Sequence, residues 1–216
     1  MSKYPHIYSR LIIGSSSLLL FILLAILVGQ HATFITSADH EAINLLHPLI
    51  TPARTKFITI ISHLASPTMM TVYSIIIALF LARKNQFRVG LNFLIFFSSF
   101  NLLNHIVKGW IERPRPTHRL ITIGGFSFPS GHTFATIVLV FCILTLLKQS
   151  NCSQKVYLTA TACGWGLILL IAFSRVFLHA HFLSDTIGSL FLATASWQII
   201  LSIIELRATH YNENIR

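Results

Sequence analysis

Charge is scarce in this chain. Only 10% of its 216 residues are charged, and acids number six against 16 Lys and Arg, a formal excess of +10. Soluble domains approach a quarter charged, so an ordinary soluble domain is excluded. Cysteine is equally sparse: Cys142, Cys152 and Cys163 form no C-x-x-C pair and no even-numbered framework. That removes a disulfide scaffold and a zinc site, and leaves the redox compartment open. No stretch of about ten residues alternates at period two, which argues against a β-barrel. Internal repeats and low-complexity segments are lacking too. In so apolar a chain the basic excess points to cytoplasmic loops, anionic lipid or an anionic substrate ahead of nucleic acid, so no nucleic-acid partner is expected.

What the chain has instead is long apolar runs, 54% of its residues being hydrophobic. They fall at residues 11–28, 67–82, 89–107, 133–147, 156–178 and 184–206. At roughly 20 apolar residues per crossing, about six transmembrane helices are expected, in an all-α polytopic bundle. The first run follows Lys3 and Arg10 as a signal peptide would, but it is longer than such an apolar core and no small-x-small cleavage site follows, so a retained span is expected. Residues 31–66 are amphipathic, with Asp39, Glu41, Arg54 and Lys56 among apolar residues at helical spacing. They read as short interfacial helices between the first and second spans, broken at Pro48 and Pro52.

Orientation follows from the basic residues. With the N-terminus inside, the inner segments hold Lys3, Arg10, Arg83, Lys84, Arg88, Lys148, Lys155, Arg207 and Arg216. The outer ones hold Arg54, Lys56, Lys108, Arg113, Arg115, Arg119 and Arg175. The margin is narrow. It widens once outer cations held by a binding site are set aside, so both termini are expected in the cytoplasm of a plasma-membrane protein.

Lys108, Arg115, Ser130, His132, Arg175, His181 and Asp185 lie at the ends of the third to sixth spans, on one side of the bilayer. Ionisable groups at membrane depth are costly to desolvate and mark functional sites by default. Pro129-Ser130-Gly131-His132 opens the fourth span, where free helix N–H groups attract an anion and Gly131 allows close backbone approach. Taken alone, Pro129-Ser130-Gly131 reads equally as an ordinary capped helix start, and the adjoining His132 raises the functional reading. Lys108 and Arg115 supply positive charge to an anion, or taken alone flank a span. His181 and Asp185, at i and i+4, share a helix face on which the carboxylate sets the imidazole tautomer and leaves the other nitrogen nucleophilic. His132 is then the general acid and base. Metal ligation is the rival use, but Lys108, Arg115 and Arg175 would repel a divalent cation. His179 reads as pocket lining or interface, His105 as a neighbour of the site, and Glu112, Arg113 and Arg119 as flanking groups that tune the site or are merely solvated.

These segments are K-x6-R-P from Lys108 to Arg115-Pro116, P-S-G-H at residues 129–132, and S-R-x5-H-x3-D from Ser174-Arg175 to His181 and Asp185. In that order they resemble the tripartite signature of the type 2 phosphatidic acid phosphatase superfamily. Soluble acid phosphatases and vanadium haloperoxidases share the motifs without the multiple spans. The resemblance implies one integral membrane phosphatase domain over residues 1–216, with its motif-bearing core at 101–190. It implies that His181 attacks phosphorus, Asp185 orients it, and His132 protonates the leaving oxygen and then activates water. Lys108, Arg115, Ser130, Gly131 and Arg175 would hold the phosphate, with no metal and no cofactor. The implied substrate is a lipid phosphate of the outer leaflet: phosphatidic acid, phosphatidylglycerol phosphate or undecaprenyl pyrophosphate. An anion channel or transporter using the basic cluster is the alternative, although it leaves His181 and Asp185 without a purpose. Oligomeric state stays open.

Overall fold

The computed structural model describes residues 5–214, with side chains over 7–207. Lys3 and Arg216, which enter the orientation argument, lie outside the described residues, as do the side chains of His6 and His210. The described residues hold helices and no strand. They are α1 (Pro5–Gly29), α2 (Thr33–Leu46), α3 (Pro52–Leu64), α4 (Pro67–Arg83), α5 (Phe87–Ile111), α6 (Gly131–Gln149), α7 (Gln154–Phe177) and α8 (Leu183–Asn214).

Prolines set the boundaries in the amphipathic segment, as expected. Pro48 lies in a single 3-10 turn at His47–Leu49. Pro52 and Pro67 each occupy the first position of a helix, where a missing N–H costs nothing. Thr51 and Ser66 cap these two helices, their side chains accepting from the amides of Arg54 (3.3 Å) and Met69 (3.2 Å). Five helices are individually long and apolar enough to cross a membrane, and a sixth crossing requires α3 and α4 together, bent by 45° at their junction. The expected span at 67–82 forms α4, whose 17 residues extend only about 25 Å. Thus α3 is interfacial in composition, and only joined to α4 across the bend does it reach the length of a crossing.

α6 is the axis of the bundle, touching α4, α5, α7 and α8. Half of its apolar window is inside the protein, against 11% for α7. Lipid is as apolar as leucine, so close packing rather than expulsion from water must hold these helices together. At Gly164 of α7 a Cβ would stand 2.6 Å from Val140 Cγ1 of α6, so any side chain there would push the two helices apart. α1 packs along α8. The ends of α5 and α7 and the starts of α6 and α8 fall at the same end of the bundle, and all the anticipated site residues lie there.

Candidate active site

The 19 residues between α5 and α6 form an irregular loop tied down at both ends. α5 stops at Glu112, which adopts a left-handed conformation (φ 48°) and donates its N–H to the Lys108 carbonyl. Lys108 Nζ reaches the carbonyls of Phe126 (2.9 Å), Ser127 (3.1 Å) and Pro129 (2.7 Å). All three of its N–H groups are therefore spent on the strand of chain that delivers Ser130 and His132 to α6. Phe128, fully buried, lies against Gly188 of α8, where a Cβ would come within 2.5 Å of the ring. Glycine is required there for the loop to seat.

Ser130 is the residue before α6, but its side chain does not cap the helix. Its hydroxyl instead accepts from Thr133 Oγ1 (3.1 Å), and its amide donates to the Asp185 carbonyl (3.1 Å). The first amides of α6 are thus left without a side-chain acceptor, the arrangement that favours a bound anion. A Cβ on Gly131 would meet Pro67 and Asn104 at 3.6 and 3.8 Å, ordinary contacts, so protein packing does not demand glycine there. His132 follows in the first turn, half-buried, within the electrostatic reach of Arg175, His181, Arg115 and the exposed His63.

His181 and Asp185 form the pair anticipated from their spacing, with His181 Nδ1 3.2 Å from Asp185 Oδ2. Arg115 Nη1 approaches His181 Nε2 at 2.9 Å. A guanidinium can only donate, so Nε2 is the acceptor and the imidazole proton sits on Nδ1, facing the carboxylate. Burial first, then the charges of Arg175, Lys108 and Arg115, push the His181 imidazole well below its ordinary value, against a hydrogen bond to the Ser127 backbone that works the other way. The ring is therefore neutral, with its Nε2 lone pair intact. Asp185 also accepts from the Phe182 amide (2.9 Å), Ser127 Oγ and Arg113 Nη1 (2.6 Å).

Arg175 is 1% exposed and donates through Nη1 to Ser62 Oγ of α3, while its buried Nε and Nη2 have no hydrogen-bond partner among the described residues. Buried donors are almost always satisfied, so this guanidinium has two donors that an anion could satisfy. Arg115 also binds the carbonyls of Gly124, Gly125 and Ala180. Among the described residues no three His, Cys, Asp or Glu side chains converge as a metal-ligand set.

The structure therefore gathers Lys108, Arg115, Ser130, Gly131, His132, Arg175, His181 and Asp185 at one end of the bundle. His105 is exposed, one turn before Lys108 on α5. His179 is 6% exposed, its Nδ1 3.2 Å from the His118 carbonyl and its Nε2 unpartnered. Burial lowers its imidazole pKa. Of the flanking residues, Arg113 is not solvated: it is 7% exposed and bridges Asp185 to Asp39. Asp39 itself is 1% exposed and belongs to this cluster rather than to a wet helix face. A signal for it lies in the chain, since Asp39 sits at the centre of the α2 stripe formed by Ile35, Thr36, Ala42, Ile43 and Leu46. A carboxylate at the middle of an inward stripe needs a buried partner. Ser62, Ser127 and Ser184 carried no comparable signal.

The PAP2 superfamily model matches residues 89–208. Phosphatidylglycerophosphatase B of Bacillus subtilis (strain 168) is 34% identical over 182 residues, 80% of this chain and 85% of that protein. The crystal structure of the first transmembrane PAP2 type phosphatidylglycerolphosphate phosphatase from Bacillus subtilis superposes with a TM-score of 0.76 at 27% identity, covering 94% of this chain and 97% of that one. Aquifex aeolicus LpxE, at 23% identity, a TM-score of 0.55 and coverages of 78% and 94%, shares the fold. With the family model spanning more than half of its length, this all-helical, multi-pass membrane protein belongs to the PAP2 superfamily.

Proposed function

We propose that this membrane lipid phosphatase removes a terminal phosphate through a phosphohistidine on His181. The observation that carries the reading is the state of His181: Nδ1 faces Asp185 at 3.2 Å, Nε2 keeps its lone pair, and the cations of Arg115 and Arg175 stand beside it. Nε2 attacks phosphorus in line, forming a P–N bond as the bond to the lipid oxygen breaks. His132 gives that oxygen its proton, and Asp185 stabilises the imidazolium. His132, now neutral, takes a proton from water, whose oxygen attacks phosphorus, and inorganic phosphate leaves with His181 restored. Arg115, Arg175 and the α6 amides hold the phosphoryl oxygens and the charge that gathers on them in the transition state. Lys108 contributes its charge and the placement of the loop before α6. No metal and no cofactor take part.

Among lipid phosphates, phosphatidylglycerol phosphate is the first substrate to test, because the relatives in Bacillus subtilis are described as acting on it. Phosphatidic acid and undecaprenyl pyrophosphate follow. The chain works as one domain in the plasma membrane, its helices sharing a core that runs from Phe21 of α1 to Trp197 of α8. Both termini face the cytoplasm and the site faces outward. Supporting this, Arg83, Lys84, Arg88, Lys148 and Lys155 lie on or beside the two connections opposite the site, where inner loops concentrate positive charge. A channel has no use for a buried histidine whose tautomer is set by a carboxylate. The test is release of inorganic phosphate from the three lipids by purified protein in detergent with EDTA present. Turnover with EDTA, competed by vanadate, supports the reading. Activity that is lost with EDTA and restored by Mg²⁺ overturns it.

A further inference from the structure

Three charges are buried side by side at this end of the bundle: Asp39 (1% exposed), Arg113 (7%) and Asp185 (0%). Buried charge is tolerated only where partners saturate it, and here Arg113 pairs with both carboxylates while Ser127, Ser184, His181 and the amides of Phe182 and Ser184 complete the network. Arg113 Nη1 donates to Asp185 Oδ1 at 2.6 Å and to Ser184 Oγ at 2.7 Å, while Nη2 donates to Asp39 Oδ2 at 2.7 Å. Asp39 in turn accepts from the Ser184 amide (2.8 Å) and from Ser184 Oγ (2.6 Å). The guanidinium is also fixed from one face by the Phe182 ring, 4.2 Å from its carbon to the ring centroid. Both terminal nitrogens are spent on this network, so Arg113 differs from Arg175, whose Nε and Nη2 are unpartnered, and is not arranged to meet a phosphate.

We infer that Asp39 and Arg113 are positioning residues of the reaction, acting on His181 through Asp185, an inference that rests on the phosphohistidine reading above. Arg113 holds Oδ1 of Asp185, which presents Oδ2 to His181 Nδ1. An Asp185 paired to Arg113 alone would have its negative charge largely cancelled when the imidazole becomes positive on forming the P–N bond. Asp39 shares the same guanidinium, so the trio keeps a net charge of −1 facing the developing imidazolium. A helix of surface-seeking composition, α2, thereby supplies a carboxylate to the site from 145 residues away in sequence.

The experiment compares full-length Asp39→Asn, Asp39→Glu, Arg113→Lys, Asp185→Asn and the double variant Asp39→Asn/Asp185→Asn. It reads kcat, KM, competitive inhibition by vanadate, and thermal stability in detergent. Asp39→Asn is expected to lower kcat by about 10–100-fold, the usual loss when a residue orienting an active group is removed, while KM and vanadate inhibition change by no more than about threefold. The double variant should be no slower than Asp185→Asn, because Asp39 acts through that carboxylate. Asp39→Glu should recover part of kcat, and Glu41→Gln, on the exposed face of the same helix, should behave as wild type. If the losses multiply in the double variant, or if kcat and vanadate binding fall together with thermal stability, Asp39 is structural and the inference fails. Should Asp39→Asn not fold, Arg113→Lys, which keeps the charge but loses the fork, is combined with Asp185→Asn and judged by the same non-additivity. Wild-type turnover by His181→Ala would instead sink the phosphohistidine reading itself, which separates the two failures.

Discussion

Arg115 Nη1 stands 2.9 Å from Nε2 of His181, so a hydrogen bond from a cation covers the nitrogen lone pair best placed to attack phosphorus. If His181 is the nucleophile, as proposed, an incoming phosphate would offer that guanidinium a stronger, charge-assisted partner and uncover the nitrogen as it binds. Protection and activation of the nucleophile would then depend on one side chain.

Substitution of Arg115 separates its charge from its shape. Arg115→Lys keeps a cation but loses the fork that spans His181, the Ala180 carbonyl and the loop at Gly124 and Gly125. It should raise KM for lipid phosphate by roughly 10–100-fold and weaken inhibition by orthophosphate in parallel. Steady-state kinetics in detergent read both, and an unchanged KM would remove Arg115 from the phosphate site.

The dyad is tested by the fate of the phosphoryl group. His181→Ala should abolish turnover, and Asp185→Asn should lower kcat by about 10²–10⁴, the cost of a mis-set histidine tautomer. With an activated aryl phosphate, whose leaving group needs no proton, His132→Ala should still be phosphorylated but release phosphate slowly. Labelled phosphoprotein should then accumulate in alkali-quenched samples, since a P–N bond survives base and not acid. The label should be absent from His181→Ala.

The pH dependence follows from the depressed His181 value. A buried imidazole among Arg175, Lys108 and Arg115 stays neutral below its ordinary 6.5, so kcat/KM, corrected for titration of the lipid phosphate, should show no nucleophile limb near that pH. Removing one of the charges that depress it, as in Arg115→Ala, should raise the His181 pKa and move the acid limb to higher pH. Stability runs in the same direction. Below pH 6.5 the unfolded chain takes up a proton at this position that the folded protein refuses, so this contribution to stability falls as the pH drops.

Topology can be read from a cysteine already in place. Cys152 lies between α6 and α7, half-exposed and at the end of the bundle opposite the site, whereas Cys142 and Cys163 lie within those helices. A membrane-impermeant thiol reagent should leave Cys152 unmodified in sealed cells and label it once the membrane is opened, with Cys152→Ser unlabelled throughout. Labelling in sealed cells would turn the active site toward the cytoplasm.

Hydropathy and local spacing determined a great deal by themselves. A run of apolar residues must bury its backbone polar groups as helix in lipid, so the membrane bundle is legible from composition alone. Pro48, Pro52 and Pro67 mark helix boundaries because the ring has no N–H and fixes φ. The pairing of His181 with Asp185 is legible for the same reason, since i and i+4 share a helix face whatever surrounds them. Tertiary structure alone decided the rest. The 45° break between α3 and α4 brings Ser62 to Arg175, and the packing of α2 against α7 and α8 brings Asp39 to Arg113, 74 residues distant. Lys108, legible as a cation near a phosphate, turns its three donors to the carbonyls of the loop before α6 because that loop arrives with unpaired acceptors. Such partners carry no local period. They meet because a buried charge or carbonyl must be satisfied, and where the helices cross determines which residue is there to satisfy it.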